Sequence, residues 1–140
     1  MLVSRDLNAA YWALRLAFGL GPLLAGADKF TNILVTWEKY LSPVALRVVP
    51  VDATMFMQAA GVIEIIVGLA ILLGATRVFG YIAMLWLLAI AANLVSTGAY
   101  YDIAVRDVLL AIGAFSLAKV TEARQSVVSA ERPEEWREAA

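Results

Sequence analysis

The sequence predicts an all-α integral membrane protein: an up-down-up-down bundle of four transmembrane helices, with an amphipathic interfacial helix between spans one and two. Three observations support this fold. Of its 140 residues, 62% are hydrophobic and 16% charged, whereas soluble domains carry about 25% charged residues. Apolar stretches of about twenty residues recur, and this length crosses a hydrocarbon layer of about 30 Å. The polar side chains within these stretches share helical faces with small residues, as expected of helices that turn polar groups inward.

The predicted spans cover residues 7–28, 54–75, 78–97 and 103–119. The second span is nearly unbroken in its apolar character, with one carboxylate, Glu64, near its middle. An acid at that depth costs about 2.5 kcal/mol or more unless it is paired, protonated or turned inward. We therefore expect the other spans to supply a polar interior around Glu64.

Helical spacing of three and four residues identifies the polar side chains that face this interior. In the first span, Arg15 shares a face with Gly19, Pro22 and Gly26. Trp86 lies on the polar face of the third span, where such a residue is more typical of core filling than of a stacking platform. The groups that we expect to form a buried polar network or to bind a ligand are Arg15, Lys29, Glu64, Asn93, Arg106 and Asp107.

Depths counted from the outer ends of the spans divide this network into two layers. Arg15 and Glu64 both lie roughly 15–20 Å down, at about 1.5 Å per residue, which predicts an Arg15–Glu64 ion pair near the middle of the membrane. That pair either fixes helix register only, as many buried pairs do, or belongs to a pocket for a polar group. An outer cluster with more donors and acceptors than one pair requires favours the pocket. The cluster consists of Lys29, Asn93, Arg106 and Asp107.

Residues 30–52 are too polar to span a membrane, and Pro43 and Pro50 interrupt them. Apolar residues between Ile33 and Leu41 recur at helical spacing, which predicts a short amphipathic helix in the interface, followed by an extended lead into span two. This helix is either an ordinary anchor or a lid over the mouth of the bundle.

Residues 121–140 are charged and predict a cytoplasmic tail, in which PEEWREAA favours a short helix. The first span lacks a small-residue cleavage site and is expected to be retained. Basic residues flank one side of the membrane more than the other, which predicts cytoplasmic N- and C-termini in a bacterial inner membrane. The cytoplasmic set is Arg5, Arg77, Lys119, Arg124, Arg132 and Arg137, against Lys29, Lys39 and Arg47 outside.

Composition also excludes several classes of function. The chain contains no cysteine and no histidine, which excludes thiolate nucleophiles, zinc–thiolate sites and imidazole proton shuttles. A net charge of −1 provides no basic surface for nucleic acid. We therefore predict no catalytic residues and no metal site, and any redox chemistry must belong to a bound molecule or to a partner.

Four runs occur in order along the chain: LRLAFGLGPLLAGADKF, WEKYLSP, GVIEIIVGLAILLG and YYDIAVRDVLLAIGAFSLAKV. These runs contain, in order, an Arg in span one, Gly-x-x-Lys at the end of span one, a Glu in span two and Arg-Asp at the start of span four. In this order and spacing the chain, up to about Lys119, resembles the DoxX family of small bacterial membrane proteins. The motifs correspond here to Arg15, Gly26 with Lys29, Glu64, and Arg106 with Asp107.

The resemblance implies a redox neighbourhood rather than one reaction. The family is similar to the DoxD subunit of a thiosulfate:quinone oxidoreductase, and other relatives are linked to quinone or thiol-stress resistance and to maturation of methylamine-utilisation enzymes. One hypothesis is a subunit whose outward-opening pocket holds a quinone or a small sulfur compound. Arg15 and Lys29 would hold an anionic or carbonyl oxygen, while Glu64 and Asp107 orient them or pass protons.

Two other hypotheses remain open at this stage. The chain is alternatively a structural accessory subunit of a larger membrane complex, with charges that only fix helix packing. A stand-alone enzyme is the weakest of the three, because two acids alone can transfer protons but nothing identifies a substrate. The expected partners are the lipid bilayer, other membrane or peripheral subunits and a small-molecule ligand.

Overall fold

Within residues 5–130, which the computed structural model describes, the chain is helical and contains no strand. The all-α prediction is therefore confirmed. Four long helices correspond to the four predicted spans, and a 3₁₀ helix and a short α-helix lie between the first two. The elements are α1 (Arg5–Asp28), the 3₁₀ helix (Trp37–Tyr40), α2 (Pro43–Val48), α3 (Ala53–Leu72), α4 (Thr76–Ser96) and α5 (Tyr101–Ala130).

Helix α5 continues well beyond residue 119, where span four was predicted to end. Side chains on the inward face of this extension form hydrogen bonds with α4. Thr121 Oγ1 donates to Thr76 Oγ1 at 2.9 Å, and Tyr81 donates its hydroxyl to Glu122 at 3.0 Å. The first part of the predicted tail is thus a bundle helix. The predicted PEEWREAA helix lies outside the described residues.

The segment between α1 and α3 also differs from its prediction. No α-helix covers residues 33–41, because Asp28 at the end of α1 accepts the backbone N–H groups of Ile33 and Leu34 at 2.9 and 3.1 Å and turns the chain there. Pro43 starts α2 instead of ending a helix, and Ser42 caps it by accepting from the N–H of Val44. Proline suits this first helical position because it has no N–H to leave unpaired.

Helices α1 and α3 pack closely because glycines face each other across their contact. A Cβ added to Gly26 would lie 2.6 Å from the carbonyl oxygen of Gly61, and one added to Gly68 would lie 2.6 Å from that of Gly19. The two glycines of each helix are seven residues apart, so the same antiparallel register is repeated two turns further on. Small residues let helix backbones approach in this way.

Helices α4 and α5 form the second close pair, packed through buried alanines. A Cβ on Gly80 would lie 3.1 Å from the carbonyl oxygen of Ala114. The two pairs meet in an apolar core, in which Ile71 and Leu117 are fully buried. We call this end of the bundle, around the α3–α4 turn, the packed end; that turn passes through Gly74, whose φ of +109° suits glycine.

The outward faces of the bundle are apolar on every long helix. Leu24, Ile66, Leu85 and Leu109, one on each of the four, are each more than half exposed. By length and composition, α3 and α4 are long and apolar enough to cross a membrane.

Candidate functional site

A cavity of about 590 Å³ lies between the α1–α3 pair and the α4–α5 pair, at the end opposite the α3–α4 turn. We call this the pocket end. Its walls are mainly apolar, and the residues before α3 form its roof. Five of the six side chains predicted for the polar interior line it: Lys29, Glu64, Asn93, Arg106 and Asp107.

An ion pair between Lys29 and Glu64 is the most buried charged feature of this cavity. Lys29 Nζ donates to Glu64 Oε2 at 2.6 Å, and both side chains are less than a tenth exposed. The other carboxylate oxygen accepts from the indole Nε1 of Trp86 at 3.3 Å. The ammonium also lies 3.7 Å from the ring centroid of Trp37, a cation–π contact that strengthens as water is excluded. The pair is therefore held on both sides by tryptophans.

Lys29 retains hydrogen-bonding capacity towards the cavity. Its ammonium has three N–H groups, and within residues 5–130 its one hydrogen bond is the one to Glu64. An amine that is 6% exposed has little water to bond instead. It can therefore donate to an oxygen atom of a molecule in the cavity.

Arg106 and Asp107 form a second charged pair on the cavity wall. Arg106 donates from Nε and Nη2 to the same oxygen, Oδ1 of Asp107, at 3.0 and 2.8 Å. The Asp107 side chain is 3% exposed, whereas that of Arg106 is 63% exposed. Oδ2 of Asp107 accepts no hydrogen bond from any residue in the described range, so this wall offers an acceptor close to an arginine.

Asn93 fixes the roof to α4. Its Nδ2 donates to the carbonyl oxygen of Tyr40 at 2.7 Å, and its Oδ1 accepts from the N–H of Ser42 at 3.0 Å. Both polar ends of the amide are thus occupied by backbone. Ser42 is fully buried, and Ser96 donates to its hydroxyl at 2.7 Å. Asn93 is therefore a clamp for the loop, rather than a member of the cluster of charges in which it was predicted.

Asp28 fixes the other end of the roof, a role that the sequence did not reveal. Besides the N–H groups of Ile33 and Leu34, its carboxylate accepts from Trp37 Nε1 at 2.8 Å and from the Thr31 hydroxyl at 3.1 Å. The indole is thereby held above Lys29. These contacts hold the segment against the cavity, and both sequence interpretations of it, the lid and the interfacial anchor, stay predictions.

The predicted Arg15–Glu64 pair is wrong. Arg15 instead lies at the packed end, where its Nε donates to the carbonyl oxygen of Ile71 at 3.2 Å and its Nη2 to that of Leu72 at 2.6 Å. Its Nη1 donates to the hydroxyl of Tyr11 at 3.2 Å. Arg15 thus donates to carbonyl groups in the last turn of α3, where a helix offers few N–H partners of its own, although Ile71 also accepts from the N–H of Gly74 at 3.1 Å.

The error came from assuming that α1 ends level with the start of α3. Gly26 lies two residues before the end of α1 at Asp28, whereas its partner Gly61 lies eight residues after Ala53. Helix α3 therefore begins about 9 Å further out than α1 ends, at about 1.5 Å per residue. This offset moves Glu64 along α1, away from Arg15 and to the level of the last turns of that helix, where the long side chain of Lys29 reaches it.

Sequence reasoning also missed the aromatic part of the site. Trp86 was interpreted as core filling, yet it donates to Glu64. Trp37 and Tyr40 were assigned to an interfacial helix, yet both line the cavity. The signal for Trp37 and Tyr40 was their proximity in sequence to Lys29, and the signal for Trp86 was its position on the polar face of the third span.

Comparisons with models of protein families, with curated proteins and with solved structures found no match for this chain. The resemblance to the DoxX family stays a prediction.

Proposed function

We propose that the chain is a DoxX-like four-span protein of the bacterial inner membrane, which binds a quinone or a small sulfur compound for an associated redox enzyme. The observation that carries the proposal is the cavity of about 590 Å³ that holds the buried Lys29–Glu64 pair between two tryptophans. Pockets for small molecules have this character, with mainly apolar walls and a few convergent polar groups.

The membrane part of the proposal is supported by the outward faces. Soluble monomers rarely expose large continuous apolar patches, whereas large apolar side chains are exposed on all four long helices. In a bilayer they would contact lipid, while the Lys29–Glu64 pair and the carboxylate of Asp107 are buried in the interior. Six flanking basic residues against three favour cytoplasmic termini and a pocket end that faces outward.

The polar groups of the pocket suit a ligand with oxygen atoms. Lys29 has N–H groups to donate to a carbonyl or anionic oxygen, and Asp107 has an oxygen to accept from a hydroxyl. The aromatic rings of Trp37 and Trp86 add flat apolar surface beside these groups. A quinone fits this set of donors, acceptors and walls, and would supply redox chemistry that the residues of the chain do not provide.

The ligand is tested by what co-purifies with the protein. Wild-type protein extracted in mild detergent should release a quinone or small sulfur compound on solvent extraction, detected by mass spectrometry. The double variant Lys29→Met, Glu64→Leu should fold and release little of it, because apolar replacements for a buried pair are often neutral for stability. The matched control, Lys119→Met with Glu122→Leu, removes an ion pair at the packed end and should retain the ligand. Equal content in all three proteins would contradict the proposal.

The topology is tested separately in this cysteine-free chain. Thr31→Cys lies before the roof and Ser126→Cys lies near the end of α5, and both positions are exposed. A membrane-impermeant thiol reagent added to spheroplasts should label the Thr31 variant alone. Labelling of the Ser126 variant from outside would reverse or refute the orientation.

A structural accessory subunit is the second candidate. Lys29 and Glu64 lie directly at the Gly26–Gly61 contact, where an ion pair would also fix the register of α1 against α3. On this account the double variant would retain the function of its complex, with the apolar outer faces contacting partner subunits.

A further inference from the structure

The cavity is open on one side, along the cleft between α1 and α5. Gly21 lines the cavity and is also exposed, and a Cβ added there would find no atom within 4 Å. Ala17, one turn earlier, likewise lines the cavity and is exposed. On the facing helix, Leu110 lines the cavity and is 41% exposed. Space is therefore continuous from the interior to the outer surface of the bundle at this level.

The cleft is closed towards the packed end and at the roof. Phe18 fills the space between the two helices on the packed-end side, since a Cβ on Gly113 would lie 2.7 Å from its Cζ. At the other end, the clamps from Asp28 and Asn93 hold the roof, and Tyr40 packs edge-on against Tyr100 with ring centroids 4.9 Å apart. The cleft between α1 and α5 therefore offers a ligand a route through the side of the bundle.

The opening and the polar groups lie at different levels. The backbone of Gly21 lies eight residues, about 12 Å, before that of Lys29, and on α5 Leu110 lies three residues, about 4.5 Å, after Asp107. The residues that line the opening are apolar, whereas Lys29, Glu64 and Asp107 lie towards the roof. A small, wholly polar sulfur anion would use the charged level and leave the apolar level empty.

We infer that the pocket takes an amphipathic molecule with a compact polar head and a linear apolar tail, the tail leaving between α1 and α5 beside Gly21. The head lies against Lys29 and Asp107, and the tail extends into the surrounding lipid. This inference rests on the proposed function and narrows its ligand class to lipid-soluble molecules, such as a quinone with a hydrocarbon chain.

The test compares two probes and three proteins in the same detergent. The probes are a dimethoxy-methyl-benzoquinone, which is a head alone, and its decyl derivative. The proteins are wild type, Gly21→Leu, whose Cβ meets no atom within 4 Å and whose side chain narrows the opening, and Ala27→Leu. Ala27 is a matched control because it is exposed on α1 but does not line the cavity. Binding is measured by quenching of tryptophan fluorescence.

We expect Gly21→Leu to weaken binding of the decyl probe about tenfold, as displacing about two methylene groups from a buried path would. Binding of the head alone should change less than about twofold, and Ala27→Leu should change neither. Comparing each probe with itself across the proteins cancels its partition into detergent.

Two results would overturn the inference, and they are distinguishable. If both probes bind wild type and Gly21→Leu equally, the pocket binds a head group but the tail does not use this cleft, so the proposed function survives alone. If neither probe binds wild type, the quinone form of the proposed function fails and this inference fails with it.

Discussion

The two ends of the bundle both bury polar side chains, but they use them differently. At the packed end, Arg15 donates to the carbonyl groups of Ile71 and Leu72 in the last turn of α3, and the hydroxyls of Thr76 and Thr121 bond each other. At the pocket end, Lys29 is paired with Glu64 beside an open cavity. The first arrangement satisfies needs that the helices themselves create. The second arrangement leaves hydrogen-bond donors and acceptors of Lys29 and Asp107 available to a molecule in the cavity.

This difference shows why a buried cation alone does not identify a site. Arg15 has the deeper position in the sequence pattern, yet its contacts complete a helix end. Lys29 lies near a helix end, yet the space beside it is empty of protein atoms and lined by tryptophans. Whether a buried cation is structural or could bind a ligand depends on what its hydrogen-bonding groups face, and not on its depth or charge.

The largest predicted effect on stability is at Glu64, and it tests whether this residue holds the buried ammonium of the pocket end. Glu64→Ala should lower the free energy of unfolding by about 3–5 kcal/mol, because it leaves the ammonium of Lys29 buried and unpaired. Glu64→Gln keeps an acceptor oxygen and the side-chain volume, and should cost clearly less. Melting temperatures in one detergent measure both. Equal losses for the two variants would show that Glu64 does not hold Lys29.

Glycine substitutions should separate the tight contact from the open cleft. Gly61→Ala places a Cβ 2.7 Å from the carbonyl oxygen of Gly26, so α1 and α3 must move apart at a cost of about 1–3 kcal/mol. Gly21→Ala meets no neighbouring atom and should be neutral or stabilising by up to about 1 kcal/mol, since alanine favours helix. Thermal unfolding of the two variants provides the comparison. A loss at Gly21 matching that at Gly61 would mean that the cleft is closed in solution.

A smaller, pH-dependent effect is expected at the packed end. The hydrogen bond from Lys119, with a further one from Tyr81, lowers the pKa of Glu122 from its ordinary value of 4.5. A carboxyl whose pKa is lower in the folded state stabilises the fold above its unfolded pKa, and that contribution is lost as the pH falls through the folded pKa. Glu122→Gln should therefore lower stability slightly at neutral pH, where this contribution is fully present, and should approach wild type at acid pH, which flattens the acid side of the stability profile. An unchanged acid limb would show that these bonds do not persist in solution.

The end of α5 and the course of residues 33–41 were not predicted correctly, but the presence of four long helices was predictable, because long apolar stretches recur along the chain. The pairing of charges was not, because it depends on the offset between helices. That offset was available in the sequence, since glycines recur at an interval of seven in both α1 and α3, and facing Gly26 with Gly61 brings Glu64 within reach of the long Lys29 side chain. The course of the roof was harder to predict, because it depends on hydrogen bonds between backbone groups and the side chains of Asp28 and Asn93, and no sequence periodicity indicates these bonds.

The central claim, that the pocket end binds a ligand while the packed end only holds the helices, is tested most directly by one titration series. The decyl quinone is titrated into wild type, the double variant Lys29→Met, Glu64→Leu, and Arg15→Lys. We predict that Arg15→Lys keeps the dissociation constant within about twofold, although it loses the bidentate guanidinium contacts. The double variant should bind about tenfold or more weakly while remaining folded, as the loss of a charged hydrogen bond of about 1.5–3 kcal/mol requires. A folded double variant that binds as tightly as wild type would contradict the account.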